Sequence, residues 1–240
     1  MTSPLRLICV NIESPPLFTK ATAEADRVGY EVDVAHAIAA EIGREVQWVH
    51  LPWSEMIPAL NDGAGDAILC GQGITEHRST LVSFTRPYAV FDEAILVRRG
   101  EGITCAADLV GKRVLAIADS TNMALAQTFT GAEVVPFDAS GEDVLGELVA
   151  ALRSGAVDAV VDDEVALQPL TDAEDLAIAF SVPTGNRWAL AVAQDKPAVL
   201  QTLDEGLAQA LANGTIHDAW QRWLPGLRYP FPAPDMGVRS

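Results

Sequence analysis

From Leu5 onward, short apolar runs alternate with segments whose apolar residues recur at helical spacing, and from Val114 the alternation starts again. Strands are expected over Leu5 to Asn11, Val46 to Val49, Ala67 to Cys70, Val114 to Ala118, Val134 to Phe137 and Val157 to Val161. Between them, Val34, Ile38 and Ile42 repeat at helical spacing with Gly43 placed to end the helix, and Ser54 can cap a helix carrying Met56, Ile57 and Leu60. Thr75 can cap a short helix containing Arg78, and Ser120-Thr121 can open another. Val144, Leu145, Leu148, Val149 and Leu152 form a helical stripe. Leu200, Leu203, Leu207 and Leu211 form a second, and Trp220 with Trp223 sit on a last helix, where packing accounts for them. Strands interleaved with helices predict an α/β protein with a parallel sheet covered on both faces.

One internal echo divides the chain further. Leu60-x-x-Gly63-x-x-Asp66-Ala67 recurs as Leu152-x-x-Gly155-x-x-Asp158-Ala159, each time between a helix and a buried strand. With the restart near Val114, it predicts two doubly wound lobes of similar build. In open α/β sheets, ligands bind beyond the carboxyl ends of strands. Those ends read Gly71-Gln72-Gly73-Ile74-Thr75 in the first lobe and Asp162-Asp163 in the second, so a cleft would set a glycine turn and Arg78 against two carboxylates.

Charge narrows the choice of partner. Sixteen Lys plus Arg against 33 Asp plus Glu leave a formal charge of −17. A nucleic-acid groove or an anionic membrane surface needs a basic face, so neither is expected. No apolar run approaches the ~20 residues of a transmembrane helix. The start, MTSPLRLICV, shows no signal peptide, which leaves residence inside the cell or a mature form with a start methionine. The three cysteines, Cys9, Cys70 and Cys105, cannot form a disulfide framework without a remainder, and the four histidines lack ligand spacing. No metal and no cofactor is expected.

Several residues have two readings. Arg78 follows the glycine turn and suits a carboxylate, or it is a solvated surface arginine. Asp162 and Asp163 would attract an ammonium group, or Asp163 caps the following Val165 to Leu170 run. Ser120 and Thr121 can receive an anion or simply cap their helix. Trp53, in a turn after a strand, can stack on a ligand or pack.

Taken in order, Gly29-Tyr30-Glu31-Val32-Asp33-Val34, Trp53 to Leu60, Gly73-Ile74-Thr75-Glu76-His77-Arg78 and Phe84-Thr85-Arg86-Pro87-Tyr88 resemble the polar amino-acid binding proteins of ABC importers, solute-binding protein family 3, with the type II periplasmic binding-protein fold. Asp108 to Val114 and Gly155 to Asp163 fit the same pattern. The resemblance implies lobe 1 over 1–90 and 190–240, lobe 2 over 91–189, and two crossing hinge strands near Tyr88 to Asp92 and Arg187 to Ala191. The lobes would close on a ligand in the cleft between them. It implies a monomer outside the cytoplasm that hands a small-molecule zwitterion, most simply an amino acid, to an ABC permease. It places Arg78 on the ligand carboxylate, Asp163 on its ammonium, Trp53 over it, and Asn11 and Ser14 at its side chain. Ser120 and Thr121 fall on the second lobe's carboxylate turn, and Gly71 and Gly73 on the first lobe's binding turn.

This chain departs from the family pattern in three places. A Ser or Thr is usual at Gly73, a glycine at Asp119 and an aspartate at Asn11. Cyclohexadienyl dehydratases resemble the same family, but their characteristic glutamate would fall at Ala166, which disfavours an enzyme; a ligand-sensing module is the other alternative. Glu13, Asp119, Asp162 and Asp163 could all approach the cleft, with Arg78 the one cation placed there. That surplus favours a ligand with a second positive group, unless Glu13 and Asp119 face solvent.

Overall fold

A computed structural model describes residues 3–21, 27–141 and 143–232. The chain divides into two compact units, Met1–Val90 with Arg187–Ser240, and Phe91–Asn186.

The first unit begins with β1 (Leu5–Cys9), which runs parallel to β2 (Val46–His50) and β3 (Ala67–Ile68). Between β1 and β2 lies α1 (Tyr30–Glu41); it ends at Ile42, and Gly43 takes a left-handed φ of 65° to turn the chain away. Helix α2 (Met56–Asn61) leads into β3 and α3 (Glu76–Ser79) follows it. The long strand β4 (Val82–Arg98) then carries the chain into the second unit. There β5 (Arg113–Ile117) runs parallel to β6 (Glu133–Phe137) and β7 (Ala159–Asp163), with α4 (Thr121–Ala126), α5 (Val144–Arg153) and α6 (Glu164–Leu167) between and after them. Strand β8 (Leu176–Ala193) returns the chain to the first unit, which α7 (Pro197–Ala212) and α8 (Thr215–Trp223) complete.

The strand order is β2-β1-β3-β8 in the first unit and β4-β7-β5-β6 in the second. Neither is wholly parallel as expected. The crossing strands pair antiparallel, β8 with β3 and β4 with β7, because each enters its sheet from the other unit.

The sequence echo has a physical cause. Asp66 accepts hydrogen bonds from the backbone N of Arg6 at 3.0 Å and its Nη2 at 3.1 Å, while Arg6 Nη1 reaches the Gly63 carbonyl at 3.2 Å. Asp158 accepts from the backbone N of Arg113 at 2.8 Å and its Nη2 at 3.0 Å, and Arg113 Nη2 reaches the Gly155 carbonyl at 2.7 Å. Gly63 and Gly155 adopt φ of 85° and 75°, which only glycine holds without strain. In both units, therefore, an arginine starting the central strand clamps the turn that begins the next one. The ion pairs hold each Asp below the usual carboxylate range, for Asp158 chiefly through Arg113 and for Asp66 through Arg6 and Arg44.

The apolar stripes bury in part as their periodicity predicts, with Ile42, Ile57, Leu145, Leu200 and Leu211 only half-buried. Leu60 and Leu152 of the echo are both buried, as are Val34, Ile38, Leu203 and Leu207. In the first unit Tyr30 meets Trp220 edge-on at 5.5 Å and donates its hydroxyl to the Tyr88 carbonyl at 2.6 Å. Trp223 donates its indole N–H to Asp33 at 2.8 Å, tying α8 to α1. The second unit's core gathers Ile95, Leu109, Val114, Phe129 and Val161. Several local expectations change: β3 stops at Ile68 rather than Cys70, and β7 runs over Ala159–Asp163 rather than Val157 to Val161. The first strand ends at Cys9, before Asn11. Ser54 caps nothing, because the chain enters α2 through a 3-10 turn, Trp53–Glu55, without a side-chain cap. The run after Asp163 is helical only to Leu167, then passes into a 3-10 turn over Gln168–Asp172.

Candidate functional site

In the first unit, the turn after β3 is built from below by Glu31. This residue is buried, and its Oε1 accepts the Gly71 N–H at 2.7 Å and the Tyr88 hydroxyl. Burial raises the Glu31 pKa, against the lowering effect of those two bonds. Gly71 has φ of 57° and lies against Trp188, whose ring a Cβ would meet at 3.4 Å. Gly73 pairs with Trp188 in an isolated bridge, and Ile74 donates to the Arg187 carbonyl at 2.8 Å, so the turn is laced to β8.

Thr75 then caps α3, as its position predicts, by accepting the Arg78 N–H at 3.1 Å. The cap puts Arg78 back over the turn, where its Nη1 donates to the Gly73 carbonyl at 3.0 Å. Arg78 is only 7% exposed, so it is no solvated surface arginine. Its guanidinium carbon stands 5.3 Å from the Trp53 ring centroid. Trp53, Gly71, Gly73 and Arg78 thus come together within one unit. Asn11 and Ser14 bond within their own loop: the Asn11 amide donates to and accepts from the Ala21 backbone at 3.2 and 3.0 Å, and Ser14 pairs with Phe18. Glu13 is exposed and accepts the Lys20 N–H at 2.9 Å.

In the second unit, Ser120 caps α4, accepting from Met123 N at 3.0 Å and donating to the Ile117 carbonyl at 2.6 Å. Asp119 is exposed with φ of 57°, a left-handed conformation that explains why glycine is usual there. Asp163 occupies the N-cap position of α6 but makes no side-chain cap bond. Asp162 is buried; its Oδ1 accepts from Asn122 Nδ2 and from Asp163 N, both at 2.8 Å. Burial, with Glu93 nearby, pushes the Asp162 pKa up to about 6. Burial and the Asp162 and Glu93 charges raise Asp163 as well. Thr121 accepts from Asn186 Nδ2 at 3.0 Å, and the same Nδ2 approaches Asp163 Oδ1 at 3.4 Å.

Glu31, Glu93, Asn122 and Asn186 were not among the residues the sequence singled out. For Glu93 a local signal existed, the carboxylate pair Asp92-Glu93 set between Phe91 and the apolar Ala94 to Val97. The arrangement offers a buried guanidinium with an aromatic neighbour in one unit and several carboxylates in the other. Among the described residues, no group of three or more His, Cys, Asp or Glu is placed to hold a metal, and no helix is long and apolar enough to cross a membrane.

Comparison with known proteins agrees with this build. The chain is 27% identical over 217 residues to ABC transporter arginine-binding protein 1 of Escherichia coli (strain K12), covering 88% of this chain and 87% of that protein. An ancestral arginine-binding protein bound to arginine superposes with a TM-score of 0.83 at 28% identity, over 93% of this chain and 99% of that one. An ancestral amino acid-binding protein, a precursor of cyclohexadienyl dehydratase, superposes with a TM-score of 0.79 at 25% identity, over 92% of this chain and 94% of that one. Residues 7–226 match the model for bacterial extracellular solute-binding proteins, family 3, and the chain belongs to that family.

Proposed function

We propose that this protein captures a basic amino acid, arginine foremost, outside the cytoplasm and delivers it to an ABC permease without making or breaking a bond. The observation that carries the reading is the buried Arg78, held on the Gly73 carbonyl beside Trp53. A guanidinium so placed suits a carboxylate, and Asp163 suits the ammonium of the same zwitterion. Arginine-binding relatives and an arginine-bound structure with the same fold support the choice of ligand. The surplus of carboxylates in the second unit supports it independently, because a second positive group on the ligand offsets their repulsion.

Competition binding with arginine, lysine, glutamine and glutamate tests the reading. Arginine or lysine should compete best; a preference for glutamate refutes the charge argument, and a preference for glutamine removes the basic ligand from it.

The raised Asp162 resembles the general acid that a dehydratase needs, and gives an enzyme reading one observation. Against it stands Ala166, a buried alanine where the dehydratases carry glutamate. Turnover of a cyclohexadienyl substrate would reinstate the enzyme.

A further inference from the structure

Glu93 stands at the centre of a network confined to the second unit. It is 2% exposed and lies opposite Asp163 in the antiparallel register of β4 and β7, so the two side chains share a face. Thr184 and Thr121 hydroxyls donate to it. Thr121 in turn accepts from Asn186, which also approaches Asp163, closing a ring drawn from β4, α4, β7 and β8. Asp162 joins through Asn122 and the Asp163 backbone. Asn122 is 4% exposed, and its Oδ1 has no hydrogen-bond partner. Among the described residues, the donors reaching the three carboxylates come from neutral groups, and the charges acting on them are one another's and that of Asp92. Asp92 is held by the Gly185 N–H at 2.9 Å. Among the described residues, therefore, no cation is placed on this cluster of buried acceptors.

We propose that Glu93 is a specificity-determining residue: with Asp163 and Asp162 it cages a cationic nitrogen of the ligand, which displaces a proton the three carboxylates share in the empty protein. The inference rests on the reading of the protein as an amino-acid receptor. Carboxylates crowded in a desolvated place cannot all ionise, so a proton stays among them until a positive group replaces it. Burial raises Glu93, Asp162 and Asp163 together, as that sharing requires. An ammonium or guanidinium supplies one charge and several N–H donors, enough to satisfy the Asn122 Oδ1 as well.

Calorimetric titration of arginine into the wild type and Glu93→Gln, in buffers of different ionisation enthalpy, tests it. Wild type should release about one proton per arginine near neutrality. Glu93→Gln keeps an acceptor for Thr184. It should bind arginine at least about tenfold more weakly at pH 9 and release fewer protons near neutrality. Equal affinity and equal proton release in the two proteins overturn the proposal. Should Glu93→Gln not fold, Asp162→Asn, which keeps the acceptor for Asn122, must cut the proton release.

Melting of the ligand-free proteins separates this inference from the receptor reading. With carboxylate pKa values raised by folding, the wild type should lose stability as pH rises from 5 to 9 more than Glu93→Gln does. Parallel curves refute the shared proton even if arginine binds. A wild type that binds no amino acid refutes the receptor and, with it, the cage.

Discussion

Replacing Arg78 by alanine removes a charged donor from the Gly73 carbonyl and a cation from the Trp53 ring. A hydrogen bond to a charged group is worth about 1.5–3 kcal/mol, and a cation–π contact at a partly exposed ring about 0.5–1 kcal/mol. The loss of stability should therefore be about 2–4 kcal/mol. At about 2–4 °C per kcal/mol for a chain of this size, Tm falls by about 4–16 °C. The fold survives, because Thr75 caps α3 through the Arg78 backbone N–H, which alanine keeps. Ligand affinity should fall further, by at least about 2 kcal/mol, since a desolvated carboxylate loses its partner. Arg78→Lys should fall between the two proteins, keeping the charge but not the planar fork. Differential scanning calorimetry gives the first quantity and isothermal titration with arginine the second. A folded Arg78→Ala protein with wild-type affinity refutes the role assigned to this residue, and an unchanged Tm refutes the contact accounting.

Two further outcomes follow from the clamps and from the turn. Asp158→Asn should cost about 1–3 kcal/mol at neutral pH, because Arg113 then faces an amide. The Asp158 pKa lies below its unfolded value, so its contribution is full above about pH 4 and disappears as pH falls through the folded pKa. Urea melts of variant and wild type should converge in acid, and a constant difference down to pH 2 refutes the ion pair. Glu31→Ala strips the Gly71 N–H and the Tyr88 hydroxyl of their acceptor. It should lower stability by about 2–4 kcal/mol and weaken arginine binding, and amide exchange at Gly71 that stays as slow as in the wild type refutes the pinning role.

The receptor proposal draws on groups from each unit separately. Arg78 is a buried cation of the first unit, and in the second unit the charges acting on Asp163 are those of Asp162 and Glu93. An amino acid is complementary to both. At the two departures the local bonds are internal: Gly73 gives its carbonyl to Arg78, and the Asn11 amide bonds to the Ala21 backbone.

By itself the sequence determined what depends on neighbours along the chain. Periodicity placed the strands and helices, Thr75 and Ser120 were legible as caps, and the repeated Gly and Asp marked two units of like build. Each of these acts within a turn or two of backbone, where residue spacing and geometry are the same thing. Arg78 and the Asp162-Asp163 pair were also legible, since strand ends are where such sheets expose polar groups. Tertiary structure alone decided the partners. Glu93 reads as one of two adjacent carboxylates, Asp92-Glu93, in a largely apolar stretch until the antiparallel register of β4 and β7 sets it beside Asp163. Glu31 looks like a first-turn acid of α1 until burial turns it onto Gly71 and Tyr88. Thr121, read from sequence as an anion contact or a cap, gains bonds to Glu93 and Asn186 that its position in the chain does not announce. Those meetings follow from strand order and from which face is buried, and both are set by contacts between residues far apart in the chain.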